Sequence, residues 1–152
     1  MLNSIRVLVQ NDDFDLGSEY QKLLANDTEN GAVVTFTGLV RDYNQGHQVL
    51  GLTLEHYPGM TEKALETIAL EAKQKWPLGR ITIIHRVGSL GLSEQIVFVG
   101  VTSKHREAAF SASQFIMDYL KNDAPFWKKE QTTEGERWVE FNDKDKDALS
   151  RW

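Results

Sequence analysis

The chain has 152 residues, of which 41% are hydrophobic and 26% are charged, and its formal net charge is −5 at pH 7. This composition is typical of a globular protein, and the length predicts one domain over residues 1–152. The acidic balance argues against general binding to nucleic acids, which requires a basic face. The chain contains no cysteine, which excludes disulfides, thiolate metal sites and a cysteine that carries sulfur.

The amino-terminal stretch MLNSIRVLVQNDDFD lacks the apolar core and the cleavage pattern of a signal peptide. No apolar run in the sequence approaches the roughly 18 residues that are needed to cross a bilayer. We therefore expect a cytoplasmic protein that does not bind membranes.

The first half of the chain alternates predicted strands and helices. Residues 5–9 predict a strand, residues 18–25 a short helix, and residues 31–42, GAVVTFTGLVRD, a strand rich in β-branched and aromatic residues. The polar turn YNQGHQ and a strand over residues 50–57 follow, which predicts a β-hairpin with a mobile tip. Residues 61–76 are the clearest helix, because apolar residues recur there at helical spacing.

The second half predicts two more strands, over residues 81–87 and 95–103, around the glycine-rich turn GSLGLSE. Residues 104–121 predict a third helix, WVEF at residues 138–141 a last strand, and FNDKDKDALSRW a solvated charged tail. The predicted order is β-α-β-β-α-β-β-α-β. Short turns between neighbouring strands favour a mainly antiparallel sheet with helices packed on it, which is an α+β fold.

The segment DYLKNDAPFWKKE, residues 118–130, places three lysines around a proline and two adjacent aromatic residues. A cation that stabilises a helix C-terminus explains Lys121 equally well when it is considered alone. Pro125 prevents the helix from continuing, so we expect Phe126 and Trp127 on irregular backbone. Aromatic residues usually fill the core, and neighbouring lysines are often a solvated edge. Together, however, cations at the rim of an apolar pocket suit a planar, anionic ligand, and a desolvated lysine is a usable proton donor or nucleophile.

Other cationic residues follow predicted strands. Arg41 ends the strand before the polar turn, where a solvated hairpin arginine is the simpler interpretation. Residues 104–106, Lys-His-Arg, precede the third helix, and free amides at a helix N-terminus favour phosphate or carboxylate binding. His56 and His85 lie among apolar strand residues and are interpreted as structural, and no spacing resembles a metal site. These residues alone indicate an anion-binding α+β domain with a lysine-centred site.

Five segments together resemble the large, catalytic subunit of molybdopterin synthase, the MoaE family: GAVVTFTGLVRD, LEHYPGMTEKAL, WPLGRITIIHRVG, IVFVGVTSKHREAAF and FIMDYLKNDAPFWKKE. They span nearly the whole chain in the order of the family, without a large insertion. The resemblance implies an α/β hammerhead-like fold and a sulfurtransferase that needs no cofactor and no metal. The implied substrate is cyclic pyranopterin monophosphate (precursor Z), which receives the two sulfurs of the molybdopterin dithiolene.

The resemblance also implies the sulfur donor, a small ubiquitin-like subunit with a thiocarboxylate on its C-terminal Gly-Gly. The implied assembly is a heterotetramer built on a homodimer of this chain. Because the chain has no cysteine and ends in Arg-Trp, it is expected to receive the sulfur rather than to carry it. Two other functions remain open from the sequence: an adaptor that docks a ubiquitin-like tail, and a sensor of a phosphate ligand.

The site residues that the resemblance implies coincide with the cationic positions. Lys121 and Lys128 are the expected catalytic residues. The expected substrate-binding residues are Leu39, Val40, Arg41, His105, Arg106, Lys121, Lys128, Lys129 and Glu130, and the expected pocket support is Phe36, Pro125, Phe126 and Trp127.

Each group has an expected role in this resemblance. We expect Arg41, His105 and Arg106 to hold the cyclic phosphate. Lys121 is expected to position the thiocarboxylate, stabilise an oxyanion and shuttle protons. Lys128 is expected to neutralise charge, and Glu130 to orient a lysine. Leu39 stands where the family often has a lysine, so only its backbone is expected to contact substrate.

Overall fold

The computed structural model describes residues 4–44, 46–139 and 143–152, which form two sheets and four α-helices. The strands are β1 (Ile5–Gln10), β2 (Ala32–Leu39), β3 (Tyr43–Asn44), β4 (His47–His56), β5 (Leu78–Arg86), β6 (Gly88–Gly91), β7 (Gln95–Ser103), β8 (Phe126–Thr132) and β9 (Gly135–Trp138). The helices are α1 (Leu16–Leu24), α2 (Met60–Lys75), α3 (Arg106–Asp123) and α4 (Asp143–Ala148), followed by a 3-10 turn (Leu149–Arg151).

The first sheet has the strand order β1-β5-β7-β2, in which β1 pairs parallel with β5 and the other pairs are antiparallel. Side chains alternate across a strand, so each buried strand serves two cores. Ile83 and Val99 pack with residues of α2 and α3 in the main core. Ile84 and Phe98 pack with α1 residues in a smaller core on the opposite face. This arrangement confirms the predicted α+β fold and its mainly antiparallel pairing.

The second sheet is antiparallel and has the order β3-β4-β8-β9, with β6 paired to β4. Its own apolar cluster contains Val40, Leu52, Leu54 and Leu90, and Ile96 of the first sheet packs against it. The two sheets therefore meet where β2 ends, and this junction positions the site described below.

The predicted hairpin between residues 31–42 and 50–57 is wrong. Strand β2 pairs with β7, whereas β4 pairs with β3, β6 and β8 in the other sheet. The chain changes sheets at Val40, which donates its N–H to the Glu94 carbonyl (3.0 Å) and accepts from the Ser93 N–H (2.9 Å). Those hydrogen bonds replace the expected local pairing. Gln45, at the tip, lies outside the described residues.

Two predictions about the carboxy-terminal region are also wrong. Phe126 and Trp127 belong to the regular strand β8 rather than to irregular backbone. The segment predicted as a solvated tail forms α4 and the 3-10 turn, and Trp152 makes edge-to-face contacts with Trp76 and Phe115, with ring centroids 5.5 Å apart in both pairs. Burial of this aromatic surface outweighs the polar character of the segment. Of the predicted WVEF strand over residues 138–141, Trp138 ends β9, and residues 140–141 lie outside the described residues.

Candidate functional site

A cavity of about 700 Å³ opens at the junction of the two sheets. The end of β2, the last turn of α3 and the start of β8 form most of its walls. Of the predicted site residues, those that line it are Phe36, Leu39, Val40, Arg41, Lys121, Phe126, Trp127, Lys128 and Glu130. The fold therefore brings together two sequence segments that lie far apart in the chain.

The two predicted catalytic lysines lie in different environments within this cavity. Lys121 is in the last turn of α3, its side chain is 42% exposed, and its ammonium lies 4.0 Å from Asp145 Oδ2 of α4. Lys128 is half-buried on β8, and burial lowers its pKa, with a further lowering by the positive charge of Lys121. Asp145 and Glu130 act in the opposite direction on the Lys128 pKa. The desolvated lysine that the sequence predicted is thus Lys128.

Glu130 is 4% exposed and is held by side chains other than lysine. Its Oε1 lies 2.9 Å from Nη2 of Arg137, and its Oε2 accepts a hydrogen bond from Asn44 Nδ2 at 2.9 Å. Arg137 was missed by the sequence analysis. It stands directly opposite Glu130 in the β8–β9 register, so a predicted hairpin over this segment would have found the pair by cross-strand charge complementarity.

The end of β2 contributes one charged group to the cavity. Arg41 follows the strand and is exposed, and Leu39 is 52% exposed. A register shift between Gly38 and Leu39 interrupts the pairing with β7, and such a bulge redirects the following side chains. The end of β2 therefore adds a cation to those that the lysine-bearing segment supplies to the cavity.

The predicted phosphate-binding pair, His105 and Arg106, does not line this cavity. With residues 31, 32, 104 and 107 it borders a separate cleft of about 450 Å³ at the N-terminus of α3. Ala32 and Leu39 are the two ends of β2, and a seven-residue step along a strand is about 23 Å. Within one chain the two basic clusters are therefore far apart. Pro125 and Lys129 are also absent from the lining of the larger cavity.

His85 of β5 lines the larger cavity although the sequence analysis interpreted it as structural. It is 3% exposed, its Nδ1 lies 2.8 Å from the Arg86 carbonyl oxygen, and its ring stacks on Phe126 with centroids 3.8 Å apart. Burial lowers the pKa of His85 to about 3, opposed by the backbone hydrogen bond and reinforced by the charges of Lys128 and His56. The apolar pattern of β5 does not indicate this contact, because the ring stack joins His85 of the first sheet to Phe126 of the second.

Comparison with known proteins identifies the family. The model of the family described as MoaE protein matches residues 9–123. The chain belongs to the MoaE family. It is 59% identical over 151 residues to the molybdopterin synthase catalytic subunit of Salmonella typhimurium, covering 99% of this chain and 100% of that relative.

Solved structures of MoaE-family proteins have the same fold. The MoaE protein of Burkholderia ambifaria superposes with a TM-score of 0.84 at 50% identity, covering 97% of each chain. Molybdopterin synthase from Staphylococcus aureus gives 0.80 at 32% identity, covering 92% of this chain and 99% of that one. The resemblance inferred from the sequence motifs is therefore confirmed.

Two features are absent from the described part of this MoaE-family chain, a metal-binding cluster and a membrane-spanning helix. In the residues that the structure describes, no three His, Asp or Glu side chains are grouped so that they could hold a metal ion. No helix of the described part is both long and apolar enough to cross a membrane. The side chains that line the larger cavity offer amines, a guanidinium, an imidazole, carboxylates and aromatic rings for chemistry.

Proposed function

We propose that this chain is the catalytic subunit of a molybdopterin synthase. It transfers sulfur from the C-terminal thiocarboxylate of a small ubiquitin-like subunit to cyclic pyranopterin monophosphate, forming the dithiolene of molybdopterin. One observation carries this proposal: a single cavity collects Lys121, Lys128 and Arg41 against aromatic walls. The name of the Salmonella typhimurium relative, a molybdopterin synthase catalytic subunit, supports it. We also propose a cytoplasmic location, which cell fractionation tests.

The shape and polarity of the cavity suit both reactants. Its volume of about 700 Å³ lies within the usual range for pockets that bind small molecules. Phe36 and Phe126 provide apolar wall for a planar heterocycle, whereas Arg41 and the lysines offer donors to an anion. A Gly-Gly tail has no side chains, so it can enter between these walls beside the heterocycle.

The two lysines have separate roles in the proposed reaction. Lys121 lies 4.0 Å from the Asp145 carboxylate, which shows that its ammonium is accessible to a carboxylate-like group. The thiocarboxylate of the partner takes this position. In each transfer its sulfur forms a C–S bond with a side-chain carbon of the pterin substrate as a C–O bond to that carbon breaks; the oxygen leaves on the ring-opened phosphate in one transfer and as water in the other. Hydrolysis of the resulting thioester leaves sulfur on the pterin and a carboxylate on the partner. Lys121 stabilises the oxyanion of that hydrolysis, and Lys128, whose pKa burial lowers, transfers protons.

We further propose that two copies of the chain pair along β2, within a heterotetramer that includes two small subunits. Strand β2 is an edge of the first sheet, and its Phe36 is 42% exposed. A two-fold axis across antiparallel β2 strands places the Ala32 end of one copy beside the Leu39 end of the other. His105 and Arg106 of the second copy then reach the first cavity and bind the cyclic phosphate. Sedimentation that shows only monomer at micromolar concentration refutes this pairing.

The test is a single-turnover assay that follows the dithiolene product by mass. Wild type, Lys121→Ala and the control Lys63→Ala are each mixed with thiocarboxylated partner and cyclic pyranopterin monophosphate. Loss of one preorganised cation is expected to slow the reaction by roughly 10²- to 10³-fold. The control removes an exposed lysine of α2 and should leave the rate unchanged.

Each alternative function predicts a different result. Product from folded Lys121→Ala at the wild-type rate moves the chemistry to Lys128 or to the partner. A wild type that binds the partner but forms no product, and has no affinity for the pterin, is an adaptor. A wild type that binds the pterin but never transfers sulfur is a sensor.

A further inference from the structure

The tautomer of His85 is fixed by its backbone contact. Nδ1 lies 2.8 Å from the Arg86 carbonyl oxygen, and a carbonyl oxygen only accepts hydrogen bonds. Nδ1 therefore carries the proton and donates a hydrogen bond to the Arg86 carbonyl oxygen. In a neutral imidazole the other nitrogen, Nε2, then holds a lone pair and is an acceptor.

The surroundings of the ring keep it neutral. The residue is 3% exposed, and the ring of Phe126 covers one face at a centroid distance of 3.8 Å and an interplanar angle of 20°. The positive charge of Lys128 and a second imidazole, His56, also disfavour protonation. A proton on Nε2 would place a third cation beside two lysines. His85 thus presents an acceptor to the cavity across the neutral pH range.

No described residue occupies this acceptor. Among the described residues, the His85 side chain makes one hydrogen bond, the bond from Nδ1, and the residue lines the cavity. Nε2 is not one of the enclosed side-chain atoms that lack a partner, so it is accessible to a donor. By contrast, Lys121, Lys128 and Arg41, which share the cavity, are donors only. The cavity therefore combines donors for an anion with an accessible neutral acceptor in its wall.

We propose that Nε2 of His85 accepts a hydrogen bond from an N–H or O–H group of the pterin substrate, and so determines specificity for a donor-bearing heterocycle. This inference rests on the proposed function, whose anionic groups bind the cations of the same cavity. His85 orients the heterocyclic part, while the lysines meet the thiocarboxylate. A planar anion without such a donor leaves Nε2 unpaired and binds more weakly.

The experiment measures the dissociation constant of cyclic pyranopterin monophosphate by calorimetry, without a sulfur donor, for the wild type and three His85 variants. His85→Asn retains an amide N–H near the Nδ1 position but has no acceptor at Nε2. His85→Phe retains the flat ring against Phe126 and removes both nitrogens. His85→Gln can present its amide oxygen near the Nε2 position. His56→Asn is the control, since His56 is a strand histidine that does not line the cavity.

We expect the Asn and Phe variants to raise the dissociation constant about 10- to 100-fold, the usual effect of an unpaired buried partner. The Gln variant should recover most of the affinity, and the control should match the wild type. Affinity for the thiocarboxylated partner should be unchanged throughout, which separates this role from a general loss of structure. Substrate affinity that survives in His85→Asn overturns the inference, as does equal weakening of substrate and partner.

Failure of the proposed function appears in a different measurement. Dithiolene formation by the wild type tests sulfur transfer, whereas the ratio of dissociation constants tests His85. A wild type that binds the pterin without forming product leaves that ratio measurable and decisive. A wild type that binds no pterin overturns both proposals.

Discussion

Acidification from pH 7 to pH 5 should destabilise this protein through His85. The pKa of this side chain is lowered by burial from 6.5 to about 3 in the folded state. The unfolded chain therefore binds a proton that the folded chain excludes. The stability that neutral His85 contributes is complete above pH 6.5 and is lost as the pH falls towards 3. Since pH 5 lies about 1.5 units below the ordinary pKa of 6.5, protonation of His85 in the unfolded state lowers the free energy of unfolding by about 2 kcal/mol at that pH.

Two carboxylates with lowered pKa values do not contribute in this pH window. The pKa values of Asp13 and Glu94 are lowered, first by hydrogen bonds from the Gln95 side chain and the Gly91 backbone N–H respectively. Their ordinary values are 3.8 and 4.5. The stability they contribute is present above those values and is lost only as the pH falls below them. A loss between pH 7 and pH 5 therefore does not come from Asp13 or Glu94, and the comparison with a His85 variant isolates the histidine.

The assay is urea unfolding of the wild type and His85→Phe at pH 7, 6 and 5, at one protein concentration. The loss of stability over this range should be about 2 kcal/mol smaller in the variant, because the other histidines cancel in the comparison. His47→Gln removes a histidine whose side chain is 38% exposed and should retain the wild-type dependence. Parallel pH dependences of the wild type and His85→Phe would refute a buried neutral imidazole. If His85→Phe does not fold, His85→Gln replaces it.

Two further substitutions test contacts that the sequence did not indicate. Trp152→Ala should lower the unfolding free energy by about 2 kcal/mol. It removes a half-buried aromatic ring and the 2.7 Å hydrogen bond that Nε1 donates to the Asp118 carboxylate. A melting temperature equal to that of the wild type would contradict a packed carboxy-terminus. Arg137→Met should cost about 2 kcal/mol in urea unfolding, because it leaves the buried carboxylate of Glu130 without its ion pair. Lys129→Met, whose ammonium lies 3.9 Å from a 60% exposed carboxylate, is the control and should cost under about 1 kcal/mol.

Elements whose pattern and partner are both local could be predicted from the sequence. Helix α2 was predicted over residues 61–76 and spans Met60–Lys75, because its apolar face repeats at helical spacing. Strands β5 and β7 were predicted as neighbours and form an antiparallel pair. Their connection is short and rich in glycine, so sequence proximity and pairing coincide.

Strand pairing across the two sheets could not be predicted in this way. The alternation in residues 31–42 correctly indicates a strand, but alternation specifies a face and not a partner. The partner of β2 is β7, about 60 residues further along the chain. The carboxy-terminal segment shows the same limit, since Trp152 contacts Trp76, the residue that follows α2. In both cases, packing against residues that are distant in the sequence determines the structure.

The charged part of the candidate site was predictable, whereas its neutral part was not. Lys121 lies in the last turn of α3, Arg41 follows β2 and Lys128 lies near the start of β8, and the fold collects these three cations in one cavity. His85 carries no such signal. Its chemistry depends on the stack with Phe126 and on the Arg86 carbonyl, which exist only after the two sheets meet.

Burial rather than residue type distinguishes the two lysines, and this bears on how one cavity could perform sulfur transfer. Lys121 is exposed in the last turn of α3, where an incoming anion can reach it. Lys128 is desolvated, and each positive charge nearby lowers its pKa further. A protonated His85 would add to that effect and weaken the donors around the anion. A wall that keeps His85 neutral therefore preserves the cationic character of the lysines while it offers the heterocycle an acceptor.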